Sequence, residues 1–348
     1  MKLGQAFDPR HNALNLWRLI LATGVIFWHS FPLTGNTIDF QPAVRLLSEV
    51  WVDGFFTVSG FLITASWMRR PHLGEYWRAR FLRIFPGLWV CVAVTAFVIA
   101  PIAAAVKHSS LPLSAEFAYV VNNGLLNVFY AGINGTPKDI PWPGVWNGSL
   151  WTLVFELLCY IAVCVLGLLG LLKRQWVLPT LFVASAVWSA YVSYPTMAQQ
   201  TIPQMLARFA VVFLAGALIH QYRDAIPARW SLVALCGVIV VASGFAQNYR
   251  LIAALPLAYA IIVSGALVRR FPLRNDISYG MYIYAFPVQQ LLATLGLVSL
   301  HPTVFFLVAA LCTIPLAAAS WFVVEKRAMA LKHPKRQQVA VGTSSHLK

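Results

Sequence analysis

Long apolar stretches separated by short polar segments dominate this chain. A helix needs about 20 apolar residues to cross roughly 30 Å of hydrocarbon. Stretches of that kind occur ten times, at residues 14–32, 50–68, 83–105, 149–172, 175–193, 203–221, 230–247, 251–268, 278–298 and 303–324. The connections are short except for 106–148. The pattern therefore predicts an all-α fold, a polytopic transmembrane bundle of about ten helices over residues 1–325. A basic, polar tail at 326–348 has too little apolar surface to pack and is expected to be disordered.

Composition agrees with the membrane class: 59% of the 348 residues are hydrophobic and 11% charged, where soluble domains carry about 25% charged residues. A net charge of +15 in a soluble chain would point to nucleic acid. Here the 26 Lys and Arg sit in the short segments between apolar stretches, so nucleic acid is not an expected partner and the charge reads as topology. When connections are assigned to alternating sides, all but five of these residues fall on the side of the N-terminus. The exceptions are Arg45, Lys107, Lys138 and Arg250 opposite, and Arg208 inside a helix. The positive-inside rule then places both termini in the cytoplasm, as an even helix count requires. Lys2 and Arg10 precede the first apolar run with no small-residue cleavage site after it, the pattern of a retained signal-anchor. The five cysteines all lie in apolar stretches without a CxxC spacing, and no metal site is expected.

Several polar groups lie where lipid makes them costly. The first helix carries Arg18 near one end and His29 near the other. Eleven residues is three turns plus about 20°, so both share a face, about 16 Å apart, and can line one polar seam. Asp53 lies just inside the outer end of the second helix, near the expected depth of His29, and Glu156 about 10 Å below the start of the fourth. A carboxylate beside a neutral imidazole is the usual support for a general base, so His29, Asp53 and Glu156 are the candidate catalytic groups. A transporter's proton relay uses the same residue types. The turn after the second helix holds Arg69, Arg70, Arg78, Arg80 and Arg83, a density beyond what orientation needs. Guanidinium groups match phosphate oxygens, and Arg80 and Arg83 share a helix face. Arg208, a few residues into the sixth helix, either snorkels outward or meets substrate. In the 106–148 loop, expected to be ordered against the membrane surface, Trp146 is either interfacial belt or a sugar-stacking ring.

In order along the chain, Arg18 and His29, Asp53-Gly54-Phe55-Phe56 with Ser59-Gly60-Phe61, and Arg80 with Arg83-Ile84-Phe85-Pro86 resemble the integral-membrane acyltransferase family 3. Leu150-Trp151-Thr152-Leu153 with Glu156, Arg208 with Phe213-Leu214 and Gly216, and Ser278-Tyr279-Gly280-Met281-Tyr282 extend the likeness along most of the chain. The resemblance implies O-acylation of glycans or related acceptors, with Arg18, His29, Arg80 and Arg83 as the functional signature. Ala285 stands where relatives often have a histidine, and the hydrolase-like domain that many of them append is not expected here. The expected reaction moves an acyl group, acetyl in the first instance, from acyl-CoA to a glycan or glycolipid hydroxyl at the outer side of a bacterial cytoplasmic membrane. Arg18, Arg78, Arg80 and Arg83 would hold the CoA phosphates, Arg208 and Trp146 would meet the acceptor, and no cofactor would be permanently bound. The competing expectation is a proton-coupled permease or exporter of a lipid-linked sugar. A third is a membrane subunit whose buried charges only pair with one another.

Overall fold

The structure, a computed structural model, describes residues 1–127, 129–192, 201–268, 273 and 275–332. After a single turn at Leu3–Ala6 come α1 (Leu14–Leu33), α2 (Gln41–Arg69), α3 (Leu73–Val106) and α4 (Leu113–Gly124). They are followed by α5 (Trp151–Leu168), α6 (Val177–Tyr191), α7 (Ile202–Gln221) and α8 (Trp230–Ser243). The last are α9 (Arg250–Leu267), α10 (Ser278–Thr294) and α11 (Pro302–Ala330). Each of the ten predicted stretches holds one of these helices, and α4 lies within the 106–148 connection. Seven helices among the described residues have the length and apolarity to cross a membrane, and α6 and α8 are shorter apolar helices.

Two boundaries differ from the sequence reading. α2 begins at Gln41 and α3 at Leu73, well before the apolar cores expected at 50 and 83. The early turns are amphipathic: Arg45 on α2 donates to the carbonyls of Gly244 and Ala246. α11 stays helical to Ala330, so the first residues assigned to the tail are ordered; 333–348 lie outside the described residues. Both α3 and α11 contain a π-helical turn, Thr95–Ile99 and Trp321–Glu325. Pro101 follows the first closely, and a proline ring clashes with the carbonyl four residues back.

α10 is the axis of the bundle, buried at every residue except Leu291 and flanked by α1 and α11. A second seam joins α2 to α7, where two glycines let the backbones meet. A Cβ on Gly60 would lie 1.9 Å from the Phe213 carbonyl oxygen, and one on Gly216 would lie 2.0 Å from that of Thr57. Small residues at such crossings are how helices associate in lipid, where dispersion and not the hydrophobic effect supplies the attraction. Across this seam Phe56 stacks on Phe209 with centroids 4.0 Å apart. The 106–148 connection is tied down by Trp89 on α3, whose indole donates to the Gly124 carbonyl at 3.0 Å, and by Gln290 of α10, described below.

Gly216→Ala is therefore expected to destabilise the purified protein by about 1–3 kcal/mol, read as a lower midpoint of thermal unfolding in detergent. Gly237→Ala on α8, with nothing within 4 Å of the new methyl, should leave that midpoint unchanged or raise it.

Candidate active site

A cavity of about 310 Å³ opens between α1, α2, α3, α5, α10 and α11 at the Arg18 end of the bundle. Its floor is organised by Asp276, in the turn before α10 and only 6% exposed. One oxygen, Oδ2, accepts from Arg18 Nη1 at 2.8 Å and from Arg83 Nη2 at 2.6 Å. The other accepts from the backbone N–H and hydroxyl of Ser278. Burial works against ionisation of Asp276, but Arg18 and Arg83 outweigh it and hold the carboxyl well below the usual carboxylate range. The carboxylate thus fixes two guanidinium groups side by side, one from the first helix and one from the third. Arg80, a turn earlier on α3, donates to Ser66 Oγ at 3.2 Å and lies over the rings of Tyr76 and Tyr160. Its Nε is buried with no hydrogen-bond partner among the described residues. Lys332 also lines the cavity; burial and the repulsion of Arg83, Arg80 and Arg18 push its pKa down to about 8. Arg78 is exposed on the outside of α3, away from this cavity.

Higher in the cavity Glu156 of α5 accepts from Ser59 Oγ at 3.1 Å and from the Tyr160 hydroxyl. Four basic side chains and the two carboxylates of Asp276 and Glu156 line the cavity, which leaves it a positive surplus. Along α2 the lining runs from Ile63 up to Phe55 and Val52, a depth of about 16 Å. Its top is closed by Thr152 and Tyr282, whose hydroxyls lie 2.6 Å apart.

His29 packs against Phe286, one turn of α10 beyond Tyr282. Its ring lies 5.1 Å from Phe286, edge to face, and 6.2 Å from Trp142 of the long connection. Nδ1 is 2.9 Å from the Val25 carbonyl, which can only accept, so Nδ1 carries the proton and Nε2 of the neutral ring presents its lone pair. Two adjacent glutamines of α10 build this neighbourhood. Gln290 donates to the carbonyls of Trp142 and Val145, pinning the connection over His29, and Gln289 donates to Ile26 and Ser30 of α1.

The remaining predicted groups lie elsewhere, and three expectations are corrected. Asp53 does not support His29: its oxygens accept from Arg208 Nε at 3.0 Å and Arg250 Nε at 2.6 Å, and from the Tyr249 hydroxyl. Glu49 completes the cluster through Arg250 and, at 4.0 Å, Arg208. Two acids thus balance two guanidinium groups across α2, α7 and α9. Arg208, fully buried and ion-paired, presents no free guanidinium to an acceptor. Trp146 is fully buried, with its indole donating to Thr136 Oγ1 at 3.0 Å; the ring lying on His29 is Trp142. For Asp53 and Arg208 the reason is that depth estimated along separate helices says nothing of which side each helix turns toward its neighbours; Trp146 is instead packed within its own connection.

The sequence reading did not single out Asp276, Tyr160, Lys332, Gln289 and Gln290, and it gave Ser59 no role at the site. Asp276 had a readable signal, an Asp-x-Ser step immediately before an apolar helix in a chain with only 11 acids. Gln289 and Gln290 are consecutive amides inside an otherwise apolar run.

Fold and site together define an integral membrane protein with a cationic cavity among its helices and a histidine packed against the helix that lines it. The family model for the acyltransferase domain of acyltransferase family 3 matches residues 11–322, and the chain belongs to that family. It is 28% identical over 344 residues to an O-acetyl transferase of Shigella phage Sf6, covering 94% of this chain and 98% of that protein. It is also 28% identical over 360 residues to nodulation protein 10 of Rhizobium leguminosarum bv. viciae, covering 92% of this chain and 94% of that one. No solved structure matches the chain. The protein is accordingly a membrane acyltransferase.

Removing one member of a buried ion cluster leaves its partners uncompensated, at about 3–5 kcal/mol. Asp53→Ala, which strands Arg208 and Arg250, should therefore lower the yield of folded protein in size-exclusion chromatography. Asp139→Ala, on the exposed long connection, should not.

Proposed function

We propose that the enzyme moves an acyl group, acetyl in the simplest case, from acyl-CoA on the cytoplasmic side to a hydroxyl of a glycan or glycolipid on the outer side of a bacterial cytoplasmic membrane. The observation that carries this reading is the cavity itself. It is cationic at the Arg18 end, and Tyr282 of its lining stands one turn of α10 before Phe286, against which His29 packs. Phosphates of the donor meet Arg18, Arg80, Arg83 and Lys332, where planar guanidinium groups grip oxygen pairs. The pantetheine arm rises past Ser59 and Glu156, whose carboxylate accepts from an amide N–H, and brings the thioester to Tyr282. Nε2 of His29 takes the proton of the incoming hydroxyl, and the oxygen attacks the thioester carbonyl. The C–S bond breaks as the C–O bond forms, and the thiolate leaves with a proton as free CoA. Asp53 and Arg208 act here only through the packing they hold together. A relay reading is less well supported, because His29 bonds a backbone carbonyl and Asp53 is held between guanidinium groups.

Purified protein given acetyl-CoA and a panel of glycan acceptors should release CoA thiol in an acceptor-dependent way. His29→Ala should abolish that release while acetyl-CoA still binds, because the donor phosphates lie at the far end of the cavity. Wild-type protein that releases no thiol with any acceptor, or a His29→Ala enzyme that stays active, would sink the proposal.

The donor KM should also depend on pH through Lys332. This lysine is cationic below about 8 and neutral above it, so the attraction for phosphate is present at pH 7 and lost as pH rises toward 9. KM for acetyl-CoA should climb about three-fold over that interval, the size of one partly screened charge contact. Lys332→Gln should start from the higher value at pH 7 and lack the step.

A further inference from the structure

A second cavity, of about 460 Å³, lies beside the first at the same end of the bundle. Asn15 and Leu62 line both, so the two share a wall. Ser66 lines the second cavity and accepts the hydrogen bond of Arg80, which lines the first. The second cavity is formed by the segment ahead of α1, by Leu273, and by the face of α2 that ends at Arg69. Phe7, Leu14, Leu62 and Leu273 give it an apolar side, Arg10 and Arg69 a cationic one, and no carboxylate is among its described lining residues. Asp8, nearby, is already engaged, accepting from the Arg10 N–H at 2.8 Å and pairing with His11 at 3.0 Å. The walls are held in place: Asn12 donates to the Asp8 carbonyl at 2.8 Å and Asn15 to that of Leu273 at 2.9 Å.

We infer that this second cavity receives the 3′-phosphorylated adenosine end of the acyl donor, with Arg10 and Arg69 contacting the 3′-phosphate. The inference rests on the acyl-CoA reading above and adds to it a nucleotide subsite. A donor of this class is a narrow arm joined through a pyrophosphate to a nucleotide, and a cavity of about 310 Å³ is at the bottom of the range for ligand sites, about 300–1,000 Å³. The arm fills the first cavity. The pyrophosphate lies where Arg80 meets Ser66, and the nucleotide turns over the shared wall. An apolar side for a base with a cationic side for a phosphate dianion is the chemistry of that end of the molecule.

The test compares acetyl-CoA with acetyl-3′-dephospho-CoA on the intact protein, reading KM from thiol release and Kd from direct titration. The dephospho donor should have about five-fold higher KM and Kd, as expected for two solvent-screened arginine contacts. In Arg10→Gln/Arg69→Gln the ratio between the donors should fall toward one. Arg70→Gln, which removes an arginine paired instead with Glu75 at 3.8 Å, should leave the ratio at its wild-type value. Adenosine 3′,5′-bisphosphate should compete with acetyl-CoA better than adenosine 5′-monophosphate does, a comparison that needs no variant. Equal KM and Kd for the two donors in the wild type, or a ratio that survives in the double variant, overturns the inference while leaving the acyl-CoA reading intact. Wild-type protein that binds neither thioester overturns both.

Discussion

Every charge placed inside lipid must find its counter-charge within the protein, and this requirement governs the arrangement of the bundle. Water cannot rescue an ion there, and an unpaired one costs several kcal/mol. The cluster of Glu49, Asp53, Arg208 and Arg250 meets the requirement in full, with two carboxylates against two guanidinium groups drawn from three helices. Because both carboxylates stand on α2 and the guanidinium groups come from two other helices, the cluster acts as a clamp. It fixes how α2, α7 and α9 turn about their axes, and the glycine crossing of Gly60 and Gly216 sets how closely α2 and α7 approach. The face of α2 that carries Ser59 is thereby aimed at Glu156 and the cavity.

The requirement is met only in part at the other end. Asp276 binds both Arg18 and Arg83 through a single oxygen, so one negative charge serves two positive ones, and Arg80 and Lys332 stand beside them. Such an arrangement is stable in a cavity that admits solvent or an anion and would not be in lipid. The arginines of the clamp each meet carboxylates of the neighbouring α2, whereas among the described residues Arg18 and Arg83 share one carboxylate oxygen.

Helix number and placement were legible in the sequence because they follow from one-dimensional quantities, the length and apolarity of each run. The Arg18, Arg80 and Arg83 grouping was legible in part, because the i, i+3 spacing of Arg80 and Arg83 puts both on one helix face, whereas Arg78 of the same run turns outward. What the sequence hid was rotation itself. Asp53 and His29 lie at similar expected depths, yet Asp53 turns toward α7 and α9 while His29 turns toward Phe286 of α10. Arg250 shows the same limit: it reads as a loop cation on the sparsely charged side, yet at 2% exposed it is a member of the clamp.

The geometry around His29 bears on how the two ends cooperate. The reaction proposed above asks of its base a fixed tautomer and a ring held in place by packing. The Val25 carbonyl does the first by accepting the hydrogen bond of Nδ1–H, within the helix and independent of any carboxylate. Phe286 and Trp142 do the second, and Trp142 is in place because Gln290 holds its carbonyl to α10. An imidazole oriented by its own backbone and without a carboxylate partner stays neutral, the state in which Nε2 can accept a proton. A carboxylate bonded to His29 would favour the imidazolium form, with both nitrogens protonated. The absence of a bond from His29 to either predicted carboxylate is therefore consistent with a base that works from the neutral state, and it leaves Asp53 free to serve the clamp on which the cavity depends.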